Sequence, residues 1–89
     1  MEFRCDPLKR AKVLAERAID LHAVGAIFFG RYIAWEDRRR DYGETRMIAV
    51  GCIEKDFITV VYTDRDDVRW IVTAWPSNRK ERAAWHASP

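Results

Sequence analysis

Histidine and cysteine are scarce in these 89 residues, with two of each. Cys5 and Cys52 form neither a Cys-x-x-Cys pair nor a disulfide framework, so free thiols, buried or half-buried in a reducing compartment, are expected. His22 falls near a helix start and His86 in the terminal segment, and neither is placed for catalysis. No His, Cys and Asp cluster has zinc spacing and no compact acidic pair stands out, so the residues lend no support to a metal or other cofactor. An apolar run of about eighteen residues is missing too, and with it a membrane-spanning helix. The opening Met-Glu-Phe-Arg-Cys-Asp-Pro lacks the charged start and apolar core of a signal peptide, which makes the cytoplasm the expected location. Repeats, low-complexity tracts and interdomain linkers are absent as well, and the chain reads as one domain, 1–89.

Charge of one sign is also lacking. Sixteen Lys and Arg face fourteen Asp and Glu, a net charge of +2, which by itself says little about nucleic acid. The distribution says more: Lys9-Arg10-Ala-Lys12, Arg38-Arg39-Arg40 and Arg79-Lys80-Glu-Arg82 are three separate basic clusters, each equally readable as a solvated surface.

What the chain does have is β-forming sequence from Glu44 to Trp75. Met47–Ile53, Phe57–Thr63 and Val68–Trp75 are rich in Val, Ile, Thr and aromatics, which suit a pleated, half-buried surface. The polar links between them are of hairpin length, too short for a parallel crossover, so an antiparallel three-stranded meander is predicted. Met47, Ala49, Gly51 and Ile53 alternate with Ile48, Val50 and Cys52. Both faces of the middle strand are apolar, which calls for helices to cover at least one.

Before the meander, Phe3 sits in a short opening strand, and Asp6-Pro7 is a strong helix start. That helix is expected to reach Arg17 with Leu8, Ala11, Leu14, Ala15 and Ala18 facing the core. Asp20 reads as a second N-cap, with Ile19 and Val24 as a hydrophobic staple, for a helix ending at Gly30. Arg31–Glu36 alternates as a strand and Asp37–Gly43 is a charged loop. After Pro76, Asn78 and Glu81 form a capping pair for a final helix to about His86. The fold class expected is α+β: two N-terminal helices, an antiparallel sheet of about four strands, and a C-terminal helix.

Phe3-x-x-Asp6-Pro7-x-Lys9, Asp41-Tyr-Gly-Glu44-x-Arg46, Val61-Tyr62-Thr63-x-Arg65 and Glu81-Arg82 together resemble the BrnT toxins, the ribonuclease halves of type II toxin–antitoxin pairs. The similarity runs over essentially the whole chain. It implies a RelE-like fold, cleavage of RNA in a bacterial cytoplasm, and neutralisation by a BrnA-like antitoxin through which the complex binds operator DNA, with a dimer or larger assembly as an option. The chain departs from the family pattern in four places. Glu16-Arg17-Ala18 stands for Lys-His-Gly, Val13 for Asn, Trp75 for Arg and Cys5 for Trp.

RNA is cut without metal when the 2′-hydroxyl turns on its own phosphate, which needs a proton acceptor, cations around the phosphorane and a proton for the leaving oxygen. Glu44, Arg46, Tyr62 and Arg65 are the candidate catalytic residues. Arg46 and Arg65 are expected near one end of the sheet, where either guanidinium can fork a phosphate, and Glu44 either orients Arg46 or acts as the base. Lys9, Arg17, Trp75 and Arg82 are the candidate RNA-binding residues, Trp75 as a stacking surface. Each has a plainer reading as well: surface ion pairs for the arginines, a half-buried sheet aromatic for Tyr62, a solvated helix face for Lys9. The alternative function is a catalytically degenerate toxin kept as the antitoxin's binding partner and co-repressor.

Overall fold

Two turns of two residues each build the centre of the molecule. Ile53 pairs with Asp56 and Arg65 with Val68, so Glu54-Lys55 and Asp66-Asp67 alone reverse the chain. The first residue of each turn takes a left-handed backbone, with φ of 57° at Glu54 and 55° at Asp66, which lets the turn follow the twist of its strands. The computed structural model describes residues 1–89. Its elements are β1 (Glu2–Cys5), α1 (Pro7–Arg17), a 3-10 segment (Val24–Phe29), β2 (Tyr32–Glu36), β3 (Met47–Ile53), β4 (Asp56–Arg65), β5 (Val68–Pro76) and α2 (Arg79–Ala87).

The sheet has five strands in the order β1-β5-β4-β3-β2 and is mixed, not a four-stranded antiparallel one. The meander β3-β4-β5 and the β2–β3 pair are antiparallel, while β1 joins the free side of β5 in parallel, from Glu2 opposite Val68 to Cys5 opposite Ile71. Four residues are enough to pair because Phe3 sinks its ring against Phe28, with centroids 5.8 Å apart. Beyond Cys5, α1 takes over and packs against β5.

The N-terminal helical region differs from expectation in two ways. Asp6 caps α1 as expected, its carboxylate accepting the Leu8 N–H at 3.0 Å, but the expected core face points outward. Leu8 is 81% exposed and Leu14 46%, and only Val13 of this helix is buried. Polar anchors decide the rotation. Arg10 forks Asp20 at 2.7 and 2.9 Å, and Arg17 donates to Thr73 Oγ1 at 3.1 Å and to the Ala74 carbonyl at 3.2 Å.

The second helix is absent, and a 3-10 segment stands in its place. Asp20 spends its carboxylate on Arg10 and on the His22 N–H at 2.9 Å, which closes a turn instead of opening a helix. The six residues that follow are too few for a stable α-helix and close with Ala26 N–H to Ala23 O and Gly30 N–H to Ile27 O.

That segment still roofs one face of the sheet. Leu21, Val24 and Ile27 pack with Val13 and Ile19 over Ala49, Val60, Ile71 and Ala74. The approach is so close that a Cβ on Gly51 would lie 2.6 Å from Ile27 Cβ. On the other face, α2 covers one end only, with Trp85 edge-on to Phe57 at 5.0 Å. Its expected capping box is present: Asn78 accepts the Glu81 N–H, and Glu81 accepts the Asn78 N–H, both at 2.8 Å. No helix is long and apolar enough to cross a membrane.

Candidate functional site

The half of that second face left open by α2 carries the charged groups. A register shift between Val61 and Tyr62 helps to make it. Thr63 pairs with Trp70, yet Val61 pairs with Thr73, so β5 holds one extra residue there. This bulge turns Trp70 and Thr73 to the same side although three positions separate them.

Glu44 and Arg46 flank Thr45 at the mouth of β3, where the Thr63 hydroxyl donates to the Thr45 carbonyl at 2.8 Å. Arg65, at the end of β4, reaches back to Glu44 and gives its Oε1 two hydrogen bonds, at 3.1 and 2.8 Å. Arg46 sits on the other side of the same carboxylate, with Nε 3.7 Å from Oε2. That distance makes an ion pair but no hydrogen bond. Arg46 Nε is buried without a hydrogen-bond partner, and its guanidinium lies 4.2 Å from the ring centroid of Tyr42. A cation held by stacking keeps its N–H groups for something else. Lys9 joins the group from α1: a pocket of about 460 Å³ is lined by Asp6, Lys9, Glu44, Arg46, Arg65 and Trp70, among others.

Tyr42 is itself fixed from below. Asp37 has a fully buried side chain and accepts both forks of Arg39 at 2.8 Å and the Tyr42 hydroxyl at 3.1 Å. The Arg39 hydrogen bonds hold the Asp37 carboxyl well below the usual range, against the opposing effect of burial, and raise Arg39 in turn. The Asp37 N–H bonds the Arg46 carbonyl at 2.7 Å, so this knot and the Arg46 platform share one backbone joint. Sequence reasoning missed Asp37, Arg39 and Tyr42 as functional groups, having read the segment as a charged loop with a basic cluster. Two signals were available: Tyr42 stands inside the Asp41-Tyr-Gly-Glu44-x-Arg46 motif, and the Asp-x-Arg-x-x-Tyr spacing precedes it, though that spacing carries no fixed geometry outside a helix or strand.

The structure thus brings Glu44, Arg46, Arg65 and Lys9 together. Arg17 and Trp75 lie farther along the same face. Arg17 is spent on Thr73 and Ala74, and the Trp75 indole N–H donates to Glu81 at 3.1 Å, with Arg39 stacked 5.8 Å away. Arg82 is at the far end of the molecule, lining a hollow with Lys55, Phe57 and Pro76. Tyr62 points the other way. It is 4% exposed in the core, with Arg69 4.3 Å above its ring, and burial pushes its phenol up. His86 packs on Phe57 and Trp85, and His22 lines a shallow hollow with Phe3 and Arg4; neither is at the site.

A family model for the BrnT ribonuclease toxin of type II toxin–antitoxin systems matches residues 6–81. The chain belongs to that family. Membership makes it a type II ribonuclease toxin, with RNA as its target and an antitoxin protein as its partner. The match takes in Lys9, the Asp37–Arg46 loop and Arg65, and it stops one residue short of Arg82. No curated protein matches the chain.

Proposed function

We propose that residues 1–89 act as one BrnT domain that cleaves RNA without a metal ion, through Glu44, Arg46, Arg65 and Lys9. The observation that carries this reading is Arg46: a half-buried cation stacked on Tyr42, without a hydrogen-bonded partner at Nε and lining a pocket that holds two further cations. Glu44 Oε2 accepts no hydrogen bond while Oε1 is occupied by Arg65, which leaves Oε2 as the proton acceptor. In the step envisaged, the 2′-hydroxyl gives its proton to Glu44 and attacks the adjacent phosphorus. Arg46 and Arg65 share the charge that builds on the phosphorane oxygens. The 5′-oxygen leaves with a proton from the Lys9 ammonium, and a 2′,3′-cyclic phosphate remains. Trp75, with Arg39 over it, offers a face on which a neighbouring base stacks.

The setting that fits is the cytoplasm, with a BrnA-like antitoxin that carries the complex to operator DNA and sets any larger assembly. A second reading has support of its own. Arg17 occupies the family's histidine position and is tied to Thr73 and Ala74, and Trp75 occupies the arginine position and is tied to Glu81. Both departures look like structural reuse, which suits a toxin that has lost its rate and kept its partner. Cleavage of a defined RNA by the wild type and by Arg46→Ala decides. On the ribonuclease reading the substitution lowers the rate about a hundredfold, some ~3 kcal/mol of transition-state stabilisation. No wild-type cleavage alongside tight antitoxin binding selects the second reading.

A further inference from the structure

β2 is the last strand of the sheet and bonds only to β3. Which of its backbone groups are free follows from one hydrogen bond. The Asp37 N–H donates to the Arg46 carbonyl, one residue beyond the Glu36–Met47 pair. In an antiparallel ladder, inward and outward groups alternate. Trp35 and Ile33 therefore turn to β3 with Asp37, and the N–H and C=O groups of Tyr32, Ala34 and Glu36 face out.

Nothing blunts this edge. β2 runs in unbroken register and contains no proline, lysine or bulge, the usual protections of an open strand. Its one charge, Glu36, is paired with Arg38 at 2.7 Å. Six large hydrophobic side chains are left exposed on the molecule, and three of them fall between residues 29 and 35: Phe29 at 82%, Tyr32 at 37% and Trp35 at 38%. Tyr32 stands opposite Gly51 and Trp35 opposite Ile48, so the two aromatics flank the edge from opposite faces of the sheet. Past Glu36 two hollows share Arg40 and Tyr42: one is lined also by Glu36, Asp37, Asp41 and Glu44, the other by Arg39 and Arg46 with no carboxylate among its walls.

We infer that the open edge of β2 takes an extended strand of the antitoxin, apolar where it lies between Tyr32 and Trp35 and acidic where it reaches Arg40 and Arg46. Main-chain hydrogen bonds to Tyr32, Ala34 and Glu36 hold the added strand, and the two aromatics clasp it. Its carboxylates then engage Arg46, the one guanidinium that lines both the carboxylate-free hollow and the pocket proposed for the RNA phosphate, so strand addition and loss of RNA access are one event. The inference rests on membership of the toxin family and stands whether or not this chain cleaves RNA.

The test uses the chain alone and in complex with its co-expressed BrnA-like antitoxin. Hydrogen exchange should slow at least about tenfold at the Tyr32, Ala34 and Glu36 amides on complex formation. Ala34→Pro removes an outward N–H and puts a ring in the path of a strand, so it should weaken the complex about a hundredfold while the free chain keeps its melting temperature within a few degrees. Ile33→Pro, which removes an inward hydrogen bond, should unfold β2 and mark the contrast. Arg40→Glu should weaken binding about tenfold. A complex in which those three amides exchange as in the free chain overturns the inference, as does failure of the two proteins to bind. Protection of the same amides in the free chain as its concentration rises also overturns it, because the edge then belongs to a second copy.

Discussion

The Arg46 guanidinium stacks 4.2 Å from the ring of Tyr42, and the Tyr42 hydroxyl donates to the buried carboxylate of Asp37 at 3.1 Å. The cation's position is thus set by an aromatic ring, and the ring's position by a carboxylate that Arg39 neutralises. Stacking holds the half-buried Arg46 in place of a hydrogen-bonded partner, and it leaves N–H groups available to a phosphate.

Two substitutions at Tyr42 separate its ring from its hydroxyl. Tyr42→Phe keeps the platform and removes one donor to Asp37. It should cost about 1 kcal/mol of stability and leave RNA cleavage within about threefold of wild type. Tyr42→Ala removes the platform, and cleavage should fall about tenfold because Arg46 is no longer held. Equal rates for the two variants would show that the ring does not position Arg46.

Asp37 carries a pH dependence whose sign is fixed by the direction of its shift. Its folded carboxyl is held below the ordinary value, so its contribution to stability is complete above the unfolded pKa of about 4. The contribution fades as pH falls below that value toward the folded one. Asp37→Asn should lose about 1 kcal/mol at neutral pH, at the low end because Arg39 is 60% exposed and screened. The difference in urea midpoint between the two proteins should shrink below about pH 4. A gap that stays constant down to pH 2 would remove the carboxylate charge from the account.

The meander, both hairpin turns, the Asp6 cap and the Asn78–Glu81 box were legible because each rests on local chemistry: β-branched runs, links too short for a crossover, capping side chains in the right place. The missing second helix was not. Asp20 has a good capping side chain, and only the fold shows that Arg10, ten residues earlier, takes it. The rotation of α1 failed for a related reason. Spacing ranks Leu8, Ala11, Leu14 and Ala15 as a core stripe, but ion pairs and hydrogen bonds to distant elements outweighed it. At the site, Glu44, Arg46 and Arg65 share one end of the sheet as antiparallel pairing implies. Tyr62 belongs to the other face, since it stands directly opposite Met47, next to Arg46. The alternation that turns Met47 toward the core thus also turns Tyr62 there, a consequence open to sequence reasoning once the register is known. The β5 bulge that turns Trp70 and Thr73 to the site leaves no mark in the residue pattern.

Gly51 tests the packing between sheet and roof. Gly51→Ala drives a methyl group into Ile27 and should destabilise the fold by about 1–3 kcal/mol. Ile27→Val in the same chain should not restore it, because the crowded atom is Cβ itself, which valine keeps. A thermal midpoint for Gly51→Ala equal to that of wild type would mean that the 3-10 segment lifts away at no cost.

Glu44 distinguishes acid–base catalysis from simple arginine positioning. Glu44→Gln keeps an oxygen to accept from Arg65 and removes only the charge and the ability to take a proton. If Glu44 is the base, cleavage falls by a factor of about a hundred or more, and the limb of the pH–rate profile that rises with its deprotonation disappears. RNA affinity should hold or improve, because a negative charge has left a phosphate site. Positioning alone predicts another pattern. The glutamine still accepts from Arg65, so the rate falls only a few-fold and the profile keeps its limb. The fold should survive either way, since the Glu44 side chain is 27% exposed and its partners are arginines that water can solvate. Thermal stability is the control: an unchanged melting temperature in Glu44→Gln shows that the lost rate is chemical and does not come from a disturbed fold. A retained rising limb with wild-type RNA affinity would take the proton acceptor away from Glu44 and leave it as the anchor of Arg65.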